Sequence, residues 1–247
     1  MVRKVILLRH GETEWSAEKN FAGWTDVDLT EAGKKAATDA GKCLKEKGVK
    51  PDVVFTSKLR RSVCTAWLAL MESDNVTMPI INSWRLNERH YGILVGMGRT
   101  NSAWQHTFEK VDSWLKMYEE MPPAVDAEDE RHPCNDSLYE NLPRDALPGS
   151  ESVRMTVDRV LPFWYDQIAP CVQAGKTPLV SAHGNSLRAL CKELEGLSEE
   201  KTMELVVAPG VPLVVELSDS MEFIQKYYLM DEAVVKKCIE QAENNED

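Results

Sequence analysis

The sequence lacks the features that would tie it to a membrane, a metal or a nucleic acid. No apolar run approaches the roughly 18 residues of a membrane span. Val5-Ile6-Leu7-Leu8 follows Arg3-Lys4 but is cut off by Arg9, which is too short for the apolar region of a secretory signal. No block of consecutive Lys and Arg is present to gather a polyanion. The 247 residues carry 29 Lys plus Arg against 40 Asp plus Glu, a formal charge of −11. These absences exclude nucleic acid and acidic lipid from the expected partners and point to a cytoplasmic chain. The six cysteines (43, 64, 134, 171, 191 and 238) include no Cys-x-x-Cys pair, so neither disulfides nor a cysteine metal site is expected. The five histidines show no His-x-His or His-Glu-x-x-His spacing, and no metal is expected from them either.

What is present is an alternation of short apolar runs and amphipathic stretches. Residues 2–8 read as a buried strand, and Asp52 to Phe55 as a second. Between them Thr30 caps a helix with Ala36, Ala40, Cys43 and Leu44 at helical spacing, ended by Gly48. Thr56-Ser57 opens another helix through Val63, Ala66, Trp67 and Leu70, and Ile80-Ile81 is a short strand. The rhythm breaks between Gly92 and Gly149. That stretch holds one expected helix, at about 100–118, and then a polar, Pro-rich run. Afterwards Ser150 is expected to cap a helix bent at Pro162, Leu179-Val180 to form a strand, and Val211–Leu217 and Phe223–Leu229 the last strands. The expected fold is α/β: three α/β/α layers, a mostly parallel central sheet with one antiparallel edge strand, and a helical or irregular insertion over the active site. It is expected as one domain over 1–247, with the insertion at about 92–149 and a flexible acidic tail at about 231–247 that, with Lys236-Lys237, is expected to close over the site.

Two strand ends share a pattern. Val5–Leu8 runs into Arg9-His10-Gly11, and Leu179-Val180 runs into His183-Gly184-Asn185. Each places a histidine just past the carboxyl end of a parallel strand, the edge at which open α/β sheets bind ligands. A neutral imidazole is a competent nucleophile. Phosphoryl transfer otherwise asks mainly for in-line positioning and positive donors on the spread oxygen charge. Arg9 and Arg61 offer the planar fork that suits phosphate, and Glu88 is a carboxylic acid able to protonate a leaving oxygen.

These residues carry a resemblance. Leu8-Arg9-His10-Gly11-Glu12-Thr13-Glu14-Trp15 resembles the opening signature of the histidine phosphatase superfamily, and Phe21 to Thr30 narrows the likeness to the cofactor-dependent phosphoglycerate mutases. Glu88-Arg89-His90-Tyr91-Gly92, Ala182 to Arg188, and Thr56 to Arg61 follow the family's order. The resemblance implies that His10 is the phosphorylated nucleophile and that Arg9, Arg61 and His183 grip the phosphoryl group. Glu88 would move the substrate's hydroxyl proton. Arg89, Tyr91 and Asn185 would contact substrate, with the backbone of Gly23 and Gly184 lining the pocket. It implies interconversion of 3-phosphoglycerate and 2-phosphoglycerate in glycolysis, a small phosphorylated three-carbon acid as substrate, 2,3-bisphosphoglycerate as primer, no metal, and a homodimer or homotetramer.

Five substrate positions depart from the family. Ser16 stands for a usual Asn, Ala22 for Thr, and Arg99 for Lys, while Leu115-Lys116 aligns with a usual pair of arginines that hold the distal phosphate or carboxylate. A phosphatase of the same superfamily acting on a small phosphorylated metabolite is therefore the alternative to a mutase. A non-catalytic scaffold is the third reading, disfavoured because His10, Arg9, Arg61, Glu88 and His183 all stand.

Overall fold

A computed structural model describes residues 2–246, without the side chains of Arg99, Trp104, Gln105, Asn244, Asn245 and Glu246. The strands are β1 (Arg3–Arg9), β2 (Val53–Thr56), β3 (Ile80–Asn82), β4 (Pro178–Ala182), β5 (Leu213–Leu217) and β6 (Phe223–Tyr228). The first five helices are α1 (Glu14–Ala17), α2 (Glu31–Glu46), α3 (Arg60–Glu72), α4 (Arg99–His106) and α5 (Phe108–Lys116). They are followed by α6 (Val153–Phe163), α7 (Ala169–Gln173), α8 (Gly184–Glu195), α9 (Glu199–Glu204) and α10 (Glu232–Glu246).

The strands form one sheet in the order β3-β2-β4-β1-β5-β6. The period of two in β1 explains the layers. Val5 and Leu7 point into a core shared with α6 and α8, while Ile6 and Leu8 point into a core shared with α2 and α3. A strand that must be apolar on both faces loses its alternation and reads as a continuous run. Four strands, β3, β2, β4 and β1, are mutually parallel. The antiparallel strand, β5, lies one place in from the edge, because β6 folds back onto it through a turn closed by Ser218 N–H donating to Glu222 O. Among the described residues no helix is long and apolar enough to cross a membrane.

Local signals set the helix ends. Thr30 Oγ1 accepts the Gly33 N–H at 3.1 Å at the start of α2, and Gly48 follows its end with φ +64°, a conformation glycine reaches without strain. Two expectations are corrected. The single helix expected over 100–118 is broken into α4 and α5 at Thr107, whose φ is +69°. Its hydroxyl then caps α5 by accepting from Lys110 N–H. The cap of α6 is Ser152, which accepts the Met155 N–H, whereas the Ser150 hydroxyl donates to Pro122 O at 2.7 Å. Pro162 lies inside α6, and the chain widens directly afterwards into a single π turn at Trp164–Ile168.

A buried ion pair fixes the loop that carries Glu88. Arg159 and Glu151 meet at 2.6 Å with almost no exposure. Arg159 also donates to the carbonyls of Arg85, Asn87 and Glu88 at 2.7, 3.0 and 2.8 Å. Glu151 Oε2 accepts the His90 N–H at 2.8 Å. Removing one partner leaves the other charge buried and three carbonyls short of donors. Arg159→Met is expected to lower the unfolding free energy by about 3–5 kcal/mol in urea titration. Arg154→Ala, which removes the solvent-exposed pair with Glu119, is expected to leave the midpoint nearly unchanged. Equal losses from the two variants would contradict the clamp.

Candidate active site

Strand register builds the site. β1 and β4 are parallel neighbours paired Arg9 to Ala182, so the residues that follow, His10 and His183, emerge side by side at the carboxyl edge of the sheet. The His10 N–H donates to Ala182 O at 3.1 Å, and the two imidazoles meet edge to face with centroids 5.0 Å apart. His10 Nδ1 lies 2.8 Å from Gly11 O. A carbonyl only accepts, so Nδ1 holds the proton and the lone pair of Nε2 is left for chemistry. Burial pushes the imidazole's pKa well below 6.5, and the guanidiniums of Arg61 and then Arg9 push it further, so His10 is neutral at ordinary pH.

Arg61 is buried and donates Nη2 to Gly23 O at 2.7 Å and Nη1 to Thr25 O at 2.8 Å. Gly23 turns with φ +52°, the left-handed region, and that turn aims its carbonyl at the guanidinium. Arg9 donates to Val207 O at 3.3 Å. A Cβ on Gly184 would sit 3.3 Å from the Arg9 guanidinium carbon, so the glycine keeps α8 close to it. Glu88 Oε1 collects the N–H groups of Arg89 and Asn185 and the Asn185 amide, at 2.7, 3.2 and 3.0 Å, which leaves Oε2 for other partners. His10, Arg9, Arg61 and Glu88 all line one cleft of about 830 Å³.

A family model for the histidine phosphatase superfamily (branch 1) matches residues 5–135. The chain belongs to this superfamily. Its fold is similar to that of a mycobacterial glucosyl-3-phosphoglycerate phosphatase, at 19% identity and TM-score 0.69, over 92% of this chain and 97% of that one. It is similar too to the α-ribazole phosphatase of Shigella flexneri, at 20% identity and TM-score 0.68, over 90% and 94% of the two chains.

Within the superfamily fold the remaining expected positions divide. Ser16, Ala22, Gly23, Arg89, Tyr91, Leu115, Lys116 and Asn185 line the cleft, whereas His183 and Gly184 do not. His183 is wholly buried behind His10. The Ser16 hydroxyl closes a capping box on α1, donating to Thr13 O and accepting the Thr13 N–H. Arg89 gives Nε to Glu151 O and Nη2 to Trp114 O and Glu120 O, so most of its fork holds backbone. The Arg99 side chain lies outside the described residues. Among the described residues of the insertion, only Leu115 and Lys116, at the end of α5, reach the cleft. From the tail, Cys238, Gln241, Ala242 and Glu243 of α10 line its mouth, while Lys236 and Lys237 do not. No group of three or more His, Cys, Asp or Glu placed to hold a metal occurs among the described residues.

The sequence reading missed a hydroxyl cluster behind His183. His183 Nε2 lies 2.8 Å from Ser57 Oγ. Ser57 Oγ lies 2.6 Å from Ser62 Oγ and accepts the Leu59 N–H at 3.0 Å. Thr56 Oγ1 touches Ser62 Oγ at 3.0 Å. The other ring nitrogen, Nδ1, is buried with no hydrogen-bond partner among the described residues. Burial and the nearby Arg61 hold the His183 pKa well below 6.5, and burial pushes His90 down to about 4.

Two outcomes follow from the neutral imidazoles. In ring-labelled NMR spectra His10 and His183 are expected to show no titration through pH 6.5, and an inflection there for either would contradict their burial. Because an unfolded histidine takes up a proton below about pH 6.5 and these folded ones resist it, the unfolded chain binds more protons as pH falls. Stability is therefore expected to be full above pH 6.5 and to decline below it, as read by thermal melts. A melting temperature that rises on acidification from pH 7 to 5 would contradict this sign.

Proposed function

We propose that the protein takes the phosphoryl group of a small phosphorylated metabolite onto His10 Nε2 and releases it to water. The observation that carries the reading is the neutral His10 imidazole, its Nδ1 proton fixed on Gly11 O and its Nε2 set in a cleft with Arg9 and Arg61. In the first step the ester P–O bond breaks as the P–Nε2 bond forms, and protonated Glu88 gives its proton to the leaving oxygen. In the second, a water oxygen attacks phosphorus, Glu88 takes the water's proton, and the P–N bond breaks to leave inorganic phosphate and free His10. Arg9 and Arg61 meet the charge on the equatorial oxygens. The two relatives of similar fold are named as phosphatases, which supports hydrolysis.

A mutase is the second reading: 3-phosphoglycerate to 2-phosphoglycerate, primed by 2,3-bisphosphoglycerate, in glycolysis. It is favoured by one observation. Gln241 and Ala242 of α10 line the cleft mouth, and a covered phosphohistidine keeps its phosphoryl group from water.

One experiment separates the two. Enzyme is mixed with 3-phosphoglycerate and trace 2,3-bisphosphoglycerate, and in parallel with a chromogenic phosphomonoester, while free phosphate and 2-phosphoglycerate are both counted. Free phosphate is expected to exceed 2-phosphoglycerate, and His10→Ala is expected to reduce release from the phosphomonoester by about a thousandfold or more. Rapid 2-phosphoglycerate with little free phosphate makes the mutase the activity. Unchanged turnover in His10→Ala overturns both readings.

A further inference from the structure

The cleft is larger than a three-carbon phosphorylated acid requires. Its volume is about 830 Å³. Such an acid has about eleven heavy atoms, and at roughly 30 Å³ each, the share of a water molecule in the liquid, it fills about 330 Å³. More than half of the space remains. Pockets of about 300–1,000 Å³ are the size that holds much larger ligands on mostly apolar walls.

Charge is divided unevenly across that space. Arg9 and Arg61 stand at the His10 end. Lys19, Arg89, Lys116 and Arg188 line the cleft as well, together with Glu12, Glu88, Glu204 and Glu243, so apart from Arg9 and Arg61 the lining carries no net formal charge. Three of those cations are already engaged, Arg89 by backbone carbonyls. Lys116 pairs with Asp112 at 3.2 Å, and Arg188 donates to Asn185 Oδ1 and Leu205 O. What the distal half offers instead is apolar surface. The Phe21 and Tyr91 rings lie 5.2 Å apart, and Leu115 packs in the same cluster. Met203 and Val206 line the cleft as well.

We infer that the site takes a phosphomonoester whose body is bulky, uncharged and apolar on one face, and that Leu115 selects this body over one bearing a second anionic group. The inference rests on the phosphoryl chemistry proposed above for His10. With the phosphate seated by Arg9 and Arg61, the body lies along Phe21, Tyr91 and Leu115. A second phosphate or carboxylate placed there would lose its water against a leucine that offers no donor. An aromatic or glycosyl face gains by covering the same surface.

The test compares kcat/KM for 1-naphthyl phosphate and 3-phosphoglycerate in the wild-type protein, Leu115→Arg and Phe21→Ala. The wild type is expected to prefer the naphthyl ester by about tenfold or more. Leu115→Arg is expected to shift the ratio toward 3-phosphoglycerate by about tenfold, mainly through a lower KM. Phe21→Ala keeps the question open to measurement if the arginine variant does not fold. It is expected to lower kcat/KM for the naphthyl ester about tenfold and to cut the naphthyl-to-3-phosphoglycerate ratio about fivefold. A wild-type preference for 3-phosphoglycerate, or a preference that neither substitution moves, overturns the inference and leaves the His10 chemistry standing. Turnover of neither ester, with no phosphate trapped on His10, overturns both.

Discussion

The site depends on keeping one imidazole neutral beside two guanidiniums. His10 would lose its nucleophilic lone pair if protonated, and three features resist protonation: burial and the charges of Arg61 and Arg9. The Gly11 carbonyl opposes them modestly by favouring the charged ring, yet it also decides which nitrogen is free. Burying Arg61 is costly unless its donors are met. The carbonyls of Gly23 and Thr25 meet them, and this requires the left-handed turn at Gly23. A backbone conformation at a buried glycine is thus tied to the charge state of a residue at a strand end.

The sheet and its two faces were legible because each strand obeys one rule locally. The run Val5 to Leu8 is apolar throughout because both faces are covered, and the cap at Thr30 and the stop at Gly48 act within a few residues of themselves. The failures lie where distant chain decides. Ser150 and Ser152 are equally good caps in sequence, and only the presence of Pro122 O draws Ser150 away. The break at Thr107 carries no glycine or proline to announce it, and no sequence signal marks it.

The candidate site divides the same way. His10, Arg9, Arg61 and Glu88 stand in compact motifs, and the structure brings them to one cleft. Ser57 meets His183 across 126 positions, and Arg159 reaches the Glu88 loop across 71, separations that no local pattern encodes. That the tail could close over the site was legible, but not which α10 residues reach the cleft, because an amphipathic terminal helix does not say what it covers. Its apolar residues Val235 and Ile239 pack against Val211 and Ala208, and that contact brings Gln241 and Ala242 to the cleft.

The two ends of the cleft do different work. The His10 end is polar, cationic and fixed by buried hydrogen bonds that any phosphoryl group could use. The distal end is lined by Leu115, Phe21 and Tyr91, with Ser16 occupied in its own capping box and Arg89 occupied by carbonyls. Of the departures noted in the sequence, Ser16, Ala22, Leu115 and Lys116 line the cleft, and in the proposed chemistry the reaction falls to one set of residues and the choice of substrate to another.

The central claim, a phosphoryl group carried on His10 Nε2, is tested most directly by trapping it. The protein is mixed with a radiolabelled phosphomonoester, quenched in base within milliseconds and digested with trypsin, which cuts after Arg9 and frees the peptide 10–19. Label on that peptide that survives base, is lost in acid and maps to Nε2 is the predicted result. Substrate turnover with no label on residue 10, or label on another side chain, would contradict the account.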